Sequence, residues 1–119
     1  MKYLLLIYEN EASFTGLSEA EQGKIFQEYM DYTARIRKNG NYVAGEALQP
    51  ISTATTVRVK NGKTLATDGP FAETREQLGG FYMVEAKDLD EAIALAAGIP
   101  AVRTGCIEVR PIMPTPLPD

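Results

Sequence analysis

The chain has 119 residues, a formal net charge of −4, one cysteine and no histidine. This length fits one domain, which we assign to residues 1–113. Without histidine, the Ser-His-Asp and Cys-His catalytic systems and nearly every zinc site are excluded. The lone Cys106 excludes an internal disulfide, and the negative net charge argues against a nucleic-acid-binding surface. We therefore expect no metal, no cofactor and no direct nucleic-acid partner.

The N-terminal apolar run covers only residues 3–8 and is followed by Glu9 and Asn10. It is too short to span a bilayer, and it lacks the basic segment and cleavage site of a signal peptide. Together with the single thiol, these observations predict a cytoplasmic protein that does not contact a membrane.

The first half of the chain predicts a strand followed by a long helix. A strand is predicted over residues 2–8, because residues 3–8 are apolar or aromatic without interruption, which is typical of a strand buried on both faces. A loop over residues 10–16 precedes a helix over residues 19–39, which begins with a capping box formed by Ser18 and Glu21. The apolar stripe of this helix comprises Ile25, Tyr29, Tyr32 and Ile36.

A β-hairpin is predicted after a second strand over residues 42–48. Asn61-Gly62 separates two β-rich runs, residues 55–60 and 63–67, and Asn-Gly between such runs is the strongest short-range hairpin signal. Pairing across this turn places one set of side chains together on one face: Val57, Val59, Thr64 and Ala66. Charged side chains occupy the other face, so we expect a half-exposed appendage.

The second half of the chain predicts a further strand and helix. A polar, turn-like segment over residues 71–78 leads into an apolar strand over residues 81–86. Asp88 then begins a helix that ends at Gly98. The predicted apolar face of this helix comprises Leu89, Ala92, Ile93 and Ala96.

The last strand covers residues 106–112, and the proline-rich tail, residues 114–119, is expected to be extended. Without the hairpin, the order of elements is β-α-β-β-α-β. This order predicts an α+β, ferredoxin-like fold with an inserted hairpin.

Two strands are apolar on both faces, although two helices can cover only one face of a small sheet. In the first strand, for example, Leu4 and Leu6 alternate with Leu5 and Ile7. Burying five large side chains contributes about 8–15 kcal/mol, which can offset an association cost of about 4–15 kcal/mol. We therefore predict a homodimer that covers the second face. The alternative is that the hairpin folds over this face within one chain.

Four consecutive residues, Asp68-Gly69-Pro70-Phe71, together with residues 72–81, resemble the motif of the DGPF branch of the YCII-related family. Residues 2–8 and 107–112 extend the resemblance over nearly the whole chain. The resemblance implies a ferredoxin-like domain of the dimeric α/β-barrel type, in which two sheets pack face to face.

The resemblance implies little about activity. YCII-related proteins are described as candidate enzymes with a His-Asp pair at the site, and that mechanism cannot apply because this chain has no histidine. DGPF-type proteins are often encoded beside extracytoplasmic-function sigma factors, which implies an association with transcription regulation.

The segment that follows the hairpin supplies the first group of candidate site residues: Asp68, Gly69, Pro70, Phe71, Glu73 and Arg75. One interpretation is a structural turn, in which Asp and Gly favour turn dihedrals, Pro fixes φ and Phe71 anchors the turn by burial. The other is that this polar loop, longer than a turn requires, borders a pocket for a small organic molecule between the loop and the sheet.

Glu108 and Arg110 are the second candidate pair, because they share one face of the last strand. They lie either on a solvated edge or inside a barrel, beside Tyr8, Tyr82 or Glu46. Glu9, just past the first strand, could join them. Three carboxylates could serve as acid–base groups if burial raised their pKa: Asp68, Glu73 and Glu46. Cys106 is predicted to be a small core residue.

Three hypotheses about function remain open from the sequence. The chain binds or converts a small organic molecule in the pocket, it is a non-catalytic interaction module linked to transcription, or it is a dimer whose grooves are incidental. Asp68 and Glu73 discriminate between the first two, because burial beside a cavity favours a pocket and exposure on a flat face favours an interaction module.

Overall fold

The structure is a computed structural model that describes residues 1–116, so the last three residues of the predicted tail 114–119 lie outside the described part. The strands are β1 (Lys2–Glu9), β2 (Tyr42–Ala47), β3 (Thr55–Lys60), β4 (Lys63–Asp68), β5 (Gln77–Glu85) and β6 (Cys106–Pro111). The helices are α1 (Ala12–Thr15), α2 (Glu19–Lys38) and α3 (Leu89–Ala97), with 3₁₀ turns at Ile51–Thr53 and Pro100–Arg103.

Four strands form one antiparallel sheet in the order β2-β5-β1-β6, and β3 and β4 form a separate two-stranded sheet. The two most continuously apolar strands, β1 and β5, occupy the centre. The strand order and the element order together define a ferredoxin-like α+β fold with an inserted hairpin, as predicted.

Helices α2 and α3 cover one face of this sheet and form the core with it. Ser18 caps α2 through the predicted capping box with Glu21, and the predicted stripe turns Tyr32 and Ile36 inward, where both are buried. The hydroxyl of Tyr32 donates to the carbonyl of Leu95 at 2.7 Å, which ties α2 to α3. The fully buried side chains that surround them include Leu5, Val84 and Ile99.

Two predictions about the helices were wrong. The predicted loop over residues 10–16 contains the short helix α1. In α3, Leu89 and Ile93 are each 50% exposed, whereas Ala92 and Ala96 are buried. Small side chains let α3 pack closely on the sheet, and Ile99, beyond the end of the helix, is fully buried in the same core.

Strand β5 begins at Gln77, four residues before the predicted strand over residues 81–86. Gln77 pairs with Glu9 and Leu78 with Tyr8, past an irregularity in the register. Backbone hydrogen bonding to β1 therefore extends the strand through polar and glycine residues that the hydrophobic pattern did not mark. The polar connection after β4 is correspondingly shorter.

The hairpin forms as predicted, around Asn61 and Gly62, whose φ angles of 53° and 76° suit a type I′ turn. It does not fold over the sheet of its own chain, because Val57 and Val59 are 61% and 69% exposed. The molecule measures 48 × 46 × 20 Å. Since a helix is about 10 Å across, the short dimension holds one sheet and one helical layer.

Candidate functional site

The face of the four-stranded sheet that points away from α2 and α3 is called here the open face. Strand register defines its members, because directly paired residues point to the same side of a sheet. Leu4 pairs with Arg110, Leu6 with Glu108 and Tyr8 with Cys106. On the other side of β1, the same register adds Leu78, Phe81 and Met83 from β5, and Ala44 and Glu46 from β2.

The open face has an apolar centre and a polar margin on each edge strand. Leu4, Leu6, Phe81 and Met83 lie on the central strands and are only half-buried. Glu108 and Arg110 form the margin on β6, whereas Glu46 is on β2 at the opposite edge. Charged and aromatic groups around an apolar floor are the usual composition of small-molecule sites.

Tyr8 connects the apolar centre to the β6 margin. Its hydroxyl donates to Oε1 of Glu108 at 3.3 Å. The pKa of Tyr8 is raised, first by partial burial and then by the negative charge of Glu108 and the hydrogen bond to it, while Arg110 acts in the opposite direction. The phenol therefore stays protonated at neutral pH and acts as a hydrogen-bond donor.

Tyr82 does not share this face, although it was one of the neighbours predicted for Glu108. It points toward the helices and is buried, with its ring edge-on to Tyr32 at 5.2 Å. Its hydroxyl and that of Thr33 are 2.7 Å apart. The two other predicted neighbours, Tyr8 and Glu46, do lie on the open face.

Glu9 also lies away from the open face. It pairs with Gln77 one position beyond Tyr8, so its side chain turns to the helical side, where it accepts a hydrogen bond from the hydroxyl of Thr104. The alternation of side chains along β1 explains why Glu9 and Tyr8 separate.

The prediction that Cys106 is a core residue was wrong. Its thiol is exposed on the open face, because Ile107 and Val109 are the β6 residues that pack against the core. Sγ of Cys106 is 3.7 Å from Oε1 of Glu76. Partial desolvation by the neighbouring side chains raises the pKa of Cys106, as do the charges of Glu76 and Glu108, so the thiol is protonated and a poor nucleophile at neutral pH.

The turn after β4 has the structural role predicted for Gly69. With φ at +100°, this residue adopts a conformation that glycine favours. Its N–H donates to the carbonyl of Ala54, and its carbonyl accepts from the hydroxyl of Thr56, both at 2.8 Å. Phe71 was expected to anchor the turn by burial, but it is 80% exposed, so it does not anchor the turn in this way.

The other loop candidates, Asp68, Pro70, Glu73 and Arg75, are all exposed. Within residues 1–116, no hydrogen bond or ion pair joins any of them to Glu108 or Arg110. The end of the loop does approach the open face, because Glu76 contacts Cys106 there. By the criterion of burial, Asp68 and Glu73 do not border an enclosed pocket in the single chain.

The sequence missed the residues that fix this loop to the body. The side-chain amide of Gln77 donates to the carbonyl of Thr74 at 2.8 Å and accepts from the N–H of Glu11 at 3.1 Å. The Glu11 carboxylate in turn accepts from the N–H of Ile51 at 2.8 Å. The contacts of Glu11 with Gln77 and Ile51 join segments far apart in sequence, so no local pattern could have indicated them.

Two surface cavities lie on the helical side of the molecule. The larger, of about 360 Å³, is bordered by α2 and the Pro100–Arg103 turn and includes the ion pair between Arg103 and Glu28, at 2.8 Å. The smaller, of about 250 Å³, lies between α2 and α3. Neither cavity includes a residue of the predicted site.

Within residues 1–116, no group of three or more His, Cys, Asp or Glu side chains is arranged to hold a metal ion. In the same part of the chain, no helix combines the length and the apolar character that crossing a membrane requires.

The fold and the open face define a ferredoxin-like α+β protein with one uncovered sheet face. The model of the YCII-related domain matches residues 1–116, and the chain belongs to this family. It is also 34% identical over 114 residues to an uncharacterized protein of Rhizobium meliloti (strain 1021), an alignment that covers 94% of this chain and 92% of that protein.

Proposed function

We propose that this protein binds a small organic molecule on the open face, and that a second copy encloses the site by packing its own open face on the first. The observation that carries the proposal is the half-buried apolar centre of the sheet, bordered by Glu108 and Arg110. Soluble monomers seldom expose a continuous apolar patch of this kind. The proposed site is cytoplasmic, where Cys106 stays reduced.

The proposed pocket differs from the one first predicted, between the sheet and the loop of the DGPF motif. Asp68 and Glu73 are exposed, whereas Glu108, Arg110 and Tyr8 lie together on the sheet. Arg110 supplies a cation for an anionic ligand group, and Glu108 supplies an acceptor. The proposal concerns binding and assigns no reaction.

The test uses the fluorescent probe 1-anilinonaphthalene-8-sulfonate, which combines an aromatic system with one negative charge. We expect Arg110→Gln to weaken binding of the probe by about tenfold, because the variant removes a charge-assisted contact. Arg58→Gln, on the hairpin, is the matched control and should bind like the wild type. Equal affinity of all three proteins for the probe would refute the open face as the binding site.

A second candidate function is a protein-interaction module linked to transcription, and the exposed loop supports it. Phe71 is 80% exposed, and an aromatic side chain of this kind commonly anchors a protein interface. The test is binding to a purified extracytoplasmic-function sigma factor. We expect Phe71→Ser to abolish that binding if this candidate is correct, and the absence of wild-type binding would eliminate it.

A further inference from the structure

The β6 margin of the open face is acidic at one end and basic at the other. Glu108 and Arg110 follow Cys106 on the same side of β6. Glu76 lies at the acidic end, where its Oε1 is 3.7 Å from Sγ of Cys106. At the basic end, Lys2 lies two residues beyond the β1 partner of Arg110 and on the same side of the sheet. The margin therefore presents opposite charges in sequence along one edge of the apolar centre.

Glu108 and Arg110 do not neutralise each other. No ion pair joins them within residues 1–116, and Oε1 of Glu108 accepts instead from the hydroxyl of Tyr8 at 3.3 Å. Both charges act on the pKa of Tyr8, which Glu108 raises and Arg110 lowers, so both side chains lie near the phenol. Each side chain keeps groups for another molecule, namely the second carboxylate oxygen of Glu108 and the N–H groups of Arg110.

Covering the open face with a second copy removes water from both of these charges. A charged group that loses its water is costly unless it gains a partner. A ligand with only a carboxylate pairs with Arg110 and leaves Glu108 without an opposite charge, whereas a ligand with only an amine leaves Arg110 unpaired. A ligand that carries both an ammonium and a carboxylate group supplies a partner for each.

Strand geometry limits the size of such a ligand. Glu108 and Arg110 are two residues apart on one strand, so their Cα atoms are separated by about 7 Å. Their partners across the sheet, Leu6 and Leu4, are only half-buried. The two charged groups of the ligand must therefore be close together, and its apolar part must extend over the leucines. An amino acid with an apolar side chain has this arrangement.

We propose that the ligand of the open face is a small zwitterion of the amino-acid class, with its carboxylate on Arg110, its ammonium on Glu108 and its apolar part over Leu4 and Leu6. This inference rests on the proposed function, because it names the chemical class of ligand for the same site. The additional negative charge of Glu76 lies toward the end of the margin that the ammonium occupies, and so it favours this orientation over the reverse.

The test compares three probes that share a phenyl ring. L-phenylalanine carries both charges at pH of about 7, 3-phenylpropionate lacks the ammonium and 2-phenylethylamine lacks the carboxylate. Isothermal titration calorimetry measures the dissociation constant of each probe for the wild type. We expect phenylalanine to bind at least about tenfold more tightly than either analogue, because it makes two charge-assisted contacts where each analogue makes one. Equal affinity for phenylalanine and either analogue would overturn the inference.

Two variants of similar shape assign each charged group of the ligand to its residue. Glu108→Gln should weaken the binding of phenylalanine by about tenfold without weakening that of 3-phenylpropionate, which brings no ammonium to Glu108. Arg110→Gln should weaken the binding of both carboxylates and spare 2-phenylethylamine. Glu19→Gln, which removes an exposed carboxylate from α2, is the matched control and should bind all three probes like the wild type. Wild-type affinity of Glu108→Gln for phenylalanine would contradict the assignment and overturn the inference.

Failure of this inference and failure of the proposed function give different results. If Arg110→Gln weakens the binding of 1-anilinonaphthalene-8-sulfonate while the wild type shows no preference for phenylalanine, the zwitterion is wrong and the open-face site stands. If Arg110→Gln alters the affinity for no probe, both are wrong. The two charges could instead pair with those of the second copy. If Glu108→Gln and Arg110→Gln each sediment as monomers while Glu108→Arg/Arg110→Glu remains dimeric, the charges pair across the dimer and the inference is overturned.

Discussion

The hydroxyl of Tyr8 donates to Oε1 of Glu108 at 3.3 Å across the pair formed by β1 and β6. This bond connects a central strand to an edge strand on the open face, between residues that lie near opposite ends of the chain. It fixes a donor and an acceptor beside Arg110, and so it organises the polar margin of the proposed site.

Glu108→Gln is expected to lower the pKa of Tyr8, because the variant removes the negative charge that disfavours the phenolate. The pKa should stay above its ordinary value, since burial is the larger cause. Spectrophotometric titration of the tyrosines, with a Tyr8→Phe variant to assign the signal, measures the change. An unaltered Tyr8 titration in Glu108→Gln would contradict the hydrogen bond.

Aspartate substitutions on opposite faces of the sheet should have different effects. Leu5 is fully buried under the helices, so Leu5→Asp places an unpaired charge in the core and should cost about 4 kcal/mol or more of stability. Met83 is half-buried on the open face, so Met83→Asp should leave the chain folded but monomeric. Circular dichroism and light scattering measure the two outcomes, and a Met83→Asp protein that remains dimeric would argue against pairing of the open faces.

Stability should fall at alkaline pH because of Tyr29. Burial, followed by the Glu9 carboxylate, raises the pKa of Tyr29 to about 12, whereas the phenol of an unfolded chain titrates near about 10. Above the unfolded value, the unfolded state releases its proton first. The contribution of Tyr29 is therefore constant below pH of about 10 and is lost as pH rises toward about 12. Tyr29→Phe should make the decline of urea midpoints shallower, and an equally steep decline would exclude this residue as a cause.

Replacing each of two glycines by alanine should change the stability of the protein in opposite directions. Gly23 lies in α2, where an added Cβ has no atom within 4 Å, so Gly23→Ala should stabilise the protein by about 0.5–1 kcal/mol. In β2, a Cβ on Gly45 would lie 2.8 Å from Cδ1 of Tyr82. Gly45→Ala should therefore destabilise it by about 1–3 kcal/mol. Thermal unfolding of both variants measures the difference, and a stable Gly45→Ala protein would contradict the packing of Tyr82.

Helix caps and tight turns were predicted correctly, because they are determined by residues that are adjacent in sequence. The capping box at Ser18 and the Asn61-Gly62 turn are specified by neighbouring residues, and both form as predicted. Tyr82 and Cys106 depend instead on the orientation of a strand within the sheet. Alternation divides their strands into two faces without identifying the one that the helices cover.

The exposure of the loop residues could not be predicted from local sequence, because it depends on what the rest of the molecule places around them. Phe71 has a residue type that is usually buried, but no other part of the described chain covers it, and it is 80% exposed. Glu108 and Arg110 were correctly assigned to one face, because a period of two is visible within β6 itself. Gln77 bonds both to Thr74, which is local, and to Glu11, which is 66 residues away, so the sequence around Gln77 carried no signal of the distant contact.

The hairpin of β3 and β4 lies within a long segment, residues 49–76, that connects two strands already paired with each other. Ala47, at the end of β2, pairs with Gly80 in β5, and the N–H of Leu48 donates to the carbonyl of Gly79 at 2.9 Å. The hydrogen-bonded pairing of β2 with β5 therefore does not depend on the residues that connect the two strands. Changes in the length or sequence of residues 49–67 can therefore alter the hairpin while the ferredoxin-like frame keeps its geometry.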